Sequence, residues 1–109
     1  TDGLTLADAA GCRLAMTFNG LPLGSAATIA IPAEDIIISR QRISQTSARN
    51  LLHGTIKRVL HDEPKVELVI DCGVDLKARV TTQAVNALGI APGVEVYLLI
   101  KASACRLLD

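Results

Sequence analysis

The sequence predicts an all-β fold, a small barrel interrupted by one short α-helix. Three observations carry this. Apolar and polar residues alternate over most of the chain, the period-two signature of half-buried strands. Glycine, proline and asparagine or aspartate punctuate those runs at short intervals, as turns do. Only residues 81–89, "TTQAVNALG", break the alternation with a run of helix formers.

Taken in order, "CRLAMTF" (12–18) alternates as a strand, and "NGLPLG" (19–24) is dense in turn formers. "ATIAIPA" and "DIIIS" are short β-branched runs on either side of Pro32 and Glu34. After the polar "RQRISQTSARN", the segment "GTIKRVLH" reads as a strand that starts at Gly54. "HDEP" (61–64) is a turn, "KVELVIDCG" alternates up to Gly73, and "DLKARVT" is a further strand. The helix has an N-cap at Thr81 or Thr82 and a terminating glycine at Gly89. "APG" turns the chain again, and "VEVYLLIKASACRLL" supplies one long or two short strands. Short strands with a single interposed helix are the pattern of an OB-type barrel.

Composition narrows the function. The chain has 109 residues, enough for one compact domain or two very small ones. Phe18 and Tyr97 are its only large aromatics, so Val, Ile, Leu and Ala must fill the core. Eleven basic residues balance eleven acidic ones, which argues against a general nucleic-acid binder. Cys12, Cys72 and Cys105 are scattered and odd in number, as reduced structural thiols of a cytosolic protein are. His53 and His61 lack partners at metal-ligand spacing, so no metal site is expected. No apolar run reaches the roughly 18 residues of a membrane span, and no basic start precedes an apolar stretch. The chain opens on Thr1, as a fragment of a longer protein would.

The stretch "TSARN" (46–50) is a cluster of hydrogen-bond donors without a carboxylate. Residues 36–61 hold five Lys or Arg and no Asp or Glu, in a chain that is neutral overall. A solvated basic loop accounts for charge alone. Two further donor-rich places favour a site. Thr81 and Thr82 stand at the start of the helix, where free amides and the helix dipole favour an anion. Lys101, Ala102 and Ser103 interrupt the last apolar run. A tetrahedral dianion needs many donors and no competing carboxylate, and this set offers that chemistry. No "GxxxxGK[ST]" phosphate loop and no nucleophile–histidine pair is present, so the chain reads as a non-enzyme.

An internal repeat adds an asymmetry. "GSAATIAIPAEDIII" (24–38) aligns without gaps on "GVEVYLLIKASACRL" (93–107) at an offset of 69 residues. Where the second copy has Lys101 and Ser103, the first has Pro32 and Glu34. An anion site made by the second copy cannot be made the same way by the first.

"TSARNLLHGTI", followed by "ARVTTQAV", "LGIAPGVEVY" and "LIKAS", closely resembles the molybdate-binding Mop, or TOBE, module of bacterial molybdenum-uptake proteins. The resemblance covers residues 43–109. "PLGSAATIAIPAEDIIIS" is similar to the segment that precedes this module in the ATP-binding subunits of molybdate ABC importers. Stand-alone storage molbindins begin almost at their "SARN", and molybdate-responsive regulators carry a helix-turn-helix part that this chain lacks. The resemblance implies two divisions: residues 1–42 as a degenerate TOBE-like half of strands only, and residues 43–109 as the binding module. It implies an oxyanion site for molybdate or tungstate made by Ser47, Ala48, Arg49, Asn50, Lys101, Ala102 and Ser103, with Thr81 reaching in from a second chain. Asn50 matches the motif as a residue that holds the loop together. It further implies a cytoplasmic homodimer, attached to an importer's ATP-binding and membrane subunits, that damps uptake when internal oxyanion is plentiful. No cofactor, nucleic acid or membrane insertion is expected. A single-stranded nucleic-acid module is the first rival and would need stacking aromatics that are missing. A ligand-free scaffold for an ATPase dimer is the second.

Overall fold

A computed structural model describes residues 5–9, 12–16 and 29–107, with side chains from 30 to 106. Its strands are β1 (Thr5–Ala9), β2 (Cys12–Met16), β3 (Ile29–Ala30), β4 (Ile37–Ser39), β5 (Asn50–Asp62), β6 (Lys65–Asp71), β7 (Asp75–Thr81), β8 (Glu95–Ile100) and β9 (Arg106–Leu107). One α-helix, α1 (Thr82–Leu88), follows β7, and 3-10 turns lie at Ala33–Asp35 and Ala102–Ala104. Five strands form the main antiparallel sheet in the order β4-β8-β5-β6-β7, while β1 pairs β2 and β3 pairs β9. The sheet curls until the first 3-10 turn, just ahead of edge strand β4, packs on the opposite edge strand β7. That closure gives the OB-type barrel. "CRLAMTF" is a strand over its first five residues, and its last two lie outside those described, as does "NGLPLG".

Alternation builds the core. On β6, Val66, Leu68 and Ile70 are fully buried, while Lys65 and Asp71 at its ends are exposed. Val96, Leu98 and Ile100 of β8 do the same from the neighbouring strand. Ile56, Ala78, Val85 and Ile90 complete one cluster with Ile36 and Cys105. Aliphatic side chains thus fill the space that an aromatic-poor sequence leaves them.

Thr81 is the N-cap of α1, its Oγ1 accepting from the Ala84 amide at 3.1 Å. Gly89 closes the helix in the left-handed region at φ 65°. The Leu88 carbonyl, in the last turn, accepts from Arg40 Nη1 at 2.7 Å.

Gly54 does not begin a strand, as its sequence context suggests, but lies four residues into β5. A Cβ there would stand 2.7 Å from Cys72 Sγ and Ile70 Cγ2, and 3.0 Å from the Asp71 carbonyl oxygen. The glycine marks a close approach of two strands within the sheet, a reading the local pattern offers equally. A register shift follows immediately, between Ile56 and Arg58.

The final apolar run is two strands, broken by the 3-10 turn at Ala102–Ala104. The two repeat-related stretches pair with each other. Ile29 opposes Leu107 and Ala30 opposes Arg106, while Ile37 opposes Leu99 and Ile38 opposes Leu98. Shifting each partner by 69 residues in opposite directions turns the first two pairs into the last two. The arms are therefore related by a local two-fold, and the two 3-10 turns occupy equivalent places in it.

Gly54→Ala should lower unfolding free energy by about 1–3 kcal/mol, because the backbone oxygen of Asp71 cannot swing aside as a side chain can. Urea denaturation of the variant beside the parent chain checks this.

Candidate oxyanion site

Asn50 opens β5 and stands opposite Ile100, which closes β8. The strands are antiparallel, so the chain entering β5 and the chain leaving β8 emerge from the same end of the ladder. This places the Ser47–Arg49 loop beside the Lys101–Ser103 turn, although 50 residues of sequence separate the two anchor positions. The Asn50 side chain is buried, and its Nδ2 donates to the Ile100 carbonyl at 3.2 Å. A longer contact of 3.9 Å reaches Cys105 Sγ, beyond the second 3-10 turn. Asn50 therefore fastens the two loops together from beneath, while Ser47, Arg49, Lys101 and Ser103 are exposed above it.

The loop before β5 is shaped by its own side chains. Thr46 Oγ1 accepts from the Ala48 amide at 3.1 Å, a hydroxyl-closed turn. Arg49 folds back over this turn, donating from Nε to the Ser47 carbonyl at 3.3 Å and from Nη2 to the Thr46 carbonyl. A guanidinium has five N–H donors, so this anchorage leaves others to face solvent. The turn after β8 is closed by the Ala104 amide on the Lys101 carbonyl at 2.9 Å and by Cys105 on Ala102 at 3.3 Å. Ala102 is buried, and its sequence neighbours Lys101 and Ser103 are exposed. Among the described residues Lys101 pairs with no carboxylate.

Thr81 is not part of this assembly. It lies opposite Lys65, which in turn opposes Asp62 at the far end of β5 from Asn50. Ser47, Arg49, Lys101 and Ser103 therefore gather at the Asn50 end of β5, while Thr81 belongs to the ladder at the Asp62 end. The sheet curls between these ends, and Arg79, two residues before Thr81, reaches Glu34 beside the Lys101 turn. The start of α1 is also not an open anion site. Thr82 Oγ1 donates to the Glu63 carboxylate, which already supplies the negative charge there.

A cleft of about 340 Å³ runs between the two 3-10 turns, lined by Glu34, Asp35, Ile37, Lys101, Ser103 and Ala104. Two carboxylates thus share the cleft with the lysine and serine. Charge counting along residues 36–61 misses them because they come from the other arm of the two-fold. The repeat alignment, which sets Glu34 on Ser103, was the available signal. Glu34 Oε1 is held by Arg79 Nη1 of β7 at 3.2 Å, and Arg79 Nη2 lies 3.9 Å from Glu67 Oε1. Arg79 was likewise not among the residues singled out from sequence.

Burial pushes the Cys105 thiol up in pKa, so it is protonated at neutral pH and packs as a small apolar group. Cys72 is half-buried. Among the described residues no group of three or more His, Cys, Asp or Glu could hold a metal ion. None of the described helices is long and apolar enough to cross a membrane.

Comparison with known proteins gives the family and the fold. The model of the TOBE domain family matches residues 46–107. A molybdenum import ATP-binding protein, ModC, of Thiobacillus denitrificans is 37% identical over 98 residues, covering 87% of this chain and 27% of the relative. The molybdenum-pterin-binding protein MopA of Rhodobacter capsulatus is 44% identical over 61 residues, covering 54% of this chain and 23% of MopA. The chain thus spans about a quarter of the length of these relatives. Among solved structures, the cytoplasmic molybdate-binding protein ModG with molybdate bound superposes with a TM-score of 0.78 at 26% identity, covering 89% of this chain and 76% of ModG.

Asn50→Ala should cost about 1–3 kcal/mol of stability, since it leaves the buried Ile100 carbonyl without the side-chain amide. Thermal unfolding gives the loss. Alkaline conditions should weaken the fold through Cys105. Its thiol ionises first in the unfolded chain, so the native state holds the extra proton and stability falls as pH rises past the ordinary thiol range. Cys105→Ala should flatten that alkaline decline in a pH series of urea midpoints.

Proposed function

Because the chain belongs to the TOBE domain family, we propose that it is the oxyanion-sensing part of a molybdate importer's ATP-binding subunit, binding molybdate or tungstate. The observation that carries this is the meeting of the Ser47–Arg49 loop and the Lys101–Ser103 turn over the buried Asn50 amide. It supplies a cationic point charge, a guanidinium, two hydroxyls and loop amides in one exposed place with a firm base. A tetrahedral dianion takes that donor set, with arginine giving a planar fork and lysine a compact charge. Ser47, Arg49, Lys101 and Ser103 hold the anion with the amides at Ala48 and Ala102, and Asn50 keeps their spacing. The Ala48 amide is engaged by Thr46 and must be shared or released on binding.

Thr81 completes the site from a second copy of the chain. As an N-cap its hydroxyl oxygen accepts from Ala84, and its own proton remains for an acceptor in the partner. Residues 43–109 supply these groups, and residues 1–42 act as the degenerate half that completes the sheet. A site split between two chains is whole in one arrangement only. Anion binding then favours that arrangement by its differential affinity, which is how internal molybdate would bias an ATPase dimer and damp import. Cytoplasmic placement against the importer and a lack of catalysis in this region belong to the same reading. Discrimination against sulfate comes from size, since fixed donors leave a smaller dianion with stretched hydrogen bonds. The carboxylates of Glu34 and Asp35 in the adjoining cleft favour a second reading, a ligand-free dimerisation scaffold.

Calorimetric titration separates the two. Molybdate and tungstate should bind with heats that sulfate does not reproduce at equal ionic strength, and Lys101→Ala should weaken them by at least about tenfold. Thr81→Ala should weaken binding too, and mixing it with the Lys101→Ala chain should restore one intact site per mixed dimer. No heat from a dimeric sample at sub-millimolar molybdate would leave the scaffold.

A further inference from the structure

The cleft beside the proposed oxyanion site contains its own potential competitor. Glu34 stands at the place the local two-fold assigns to Ser103, and its carboxylate shares a cleft with Lys101. A carboxylate that pairs with Lys101 occupies the charge a dianion needs. The first 3-10 turn is closed on itself by the Asp35 amide on the Pro32 carbonyl at 2.9 Å and packs on β7, which sets where the Glu34 side chain starts. From there the side chain can choose a partner. In the structure it has chosen Arg79, at 3.2 Å across to β7.

We propose that Arg79 is a positioning residue for oxyanion binding: it holds the Glu34 carboxylate against β7 and so keeps Lys101 open to the ligand. The proposal rests on the oxyanion reading above and assigns a role to residues outside the donor set. Arg79 is itself fixed. Its second nitrogen faces Glu67 of β6, and β7 is ladder-paired to β6 along its full length. The guanidinium therefore presents a fixed fork toward the first 3-10 turn, while Lys101, a flexible point charge, competes poorly for Glu34. Loss of Arg79 frees Glu34 to turn toward the remaining cation in its cleft. Anion binding must then break that pair, and affinity falls.

The pair is partly exposed, with side-chain accessibilities of 40% for Arg79 and 59% for Glu34, so it adds little to stability and its variants should fold. This makes a double-mutant cycle practicable. Wild type, Arg79→Gln, Glu34→Gln and the double variant are titrated with molybdate at one ionic strength, with Lys101→Ala as the control for the site. Arg79→Gln should weaken binding by about three- to tenfold, as expected for a carboxylate brought beside a cation that must receive a dianion. Glu34→Gln alone should strengthen it by about twofold or less, because that carboxylate is already neutralised. In the Arg79→Gln background, Glu34→Gln should restore affinity to within about twofold of wild type. Equal effects of Glu34→Gln in both backgrounds would mean that Arg79 and Glu34 act only as independent charges, and the proposal would be wrong. A double variant as weak as Arg79→Gln would overturn it as well, assigning Arg79 a direct or purely structural part. Wild type that binds no molybdate would instead overturn the oxyanion reading itself.

Discussion

The arrangement depends on one buried amide. Asn50 is the only buried polar side chain among the described residues, and it joins the first residue of β5 to the last of β8. A buried polar group is costly unless satisfied, and satisfied it fixes a geometry that apolar packing leaves loose. Here it sets the separation of two loops far apart in sequence. Everything exposed above it inherits that separation: the hydroxyls of Ser47 and Ser103, the guanidinium of Arg49 and the ammonium of Lys101. The curled sheet below acts as a rigid mount, with Val66, Leu68, Ile70, Val96, Leu98 and Ile100 holding the ladder in register.

The second constraint is charge placement. The loop before β5 lacks carboxylates in sequence, but the fold brings Glu34 and Asp35 alongside from the other arm. The barrel meets part of this by assigning a cation to Glu34. Arg79, on the strand that closes the barrel, takes Glu34 and faces Glu67. The same contact that closes the barrel thus also pairs one of the two carboxylates lining the cleft. Fold and site share a residue that neither the donor motif nor the hydrophobic pattern would single out.

Strand alternation, the lone helix and its Thr81 cap were all legible in the sequence, because each depends on residues close together along the chain. The donor clusters were legible as clusters for the same reason, and the family motif joined them. Gly54 was misread as a strand boundary because glycine signals both a break and a close approach, and only the cross-strand neighbours Ile70 and Cys72 decide between them. The split of the last run at Ala102 was left open, since its apolar residues continue through the turn. That Thr81 joins the ladder at the Asp62 end of β5 and not at the Asn50 end was invisible locally. It follows from the 13-residue length of β5, whose two ends serve different loops. The partnership of Glu34 with Arg79 was the hardest to see, being a contact between elements 45 residues apart with no periodic signature.

The local two-fold of the arms has a further implication. In a symmetric pair of identical chains every substitution appears twice, so a lysine gained on one side is a lysine gained on both. Covalent joining of the two copies in one chain removes that restriction. Each 3-10 turn can change alone while the ladder between them keeps its register. One turn therefore keeps a cation and a hydroxyl, and its twin carries a proline and a carboxylate. An internal repeat in one chain can break a symmetry that oligomerisation would enforce.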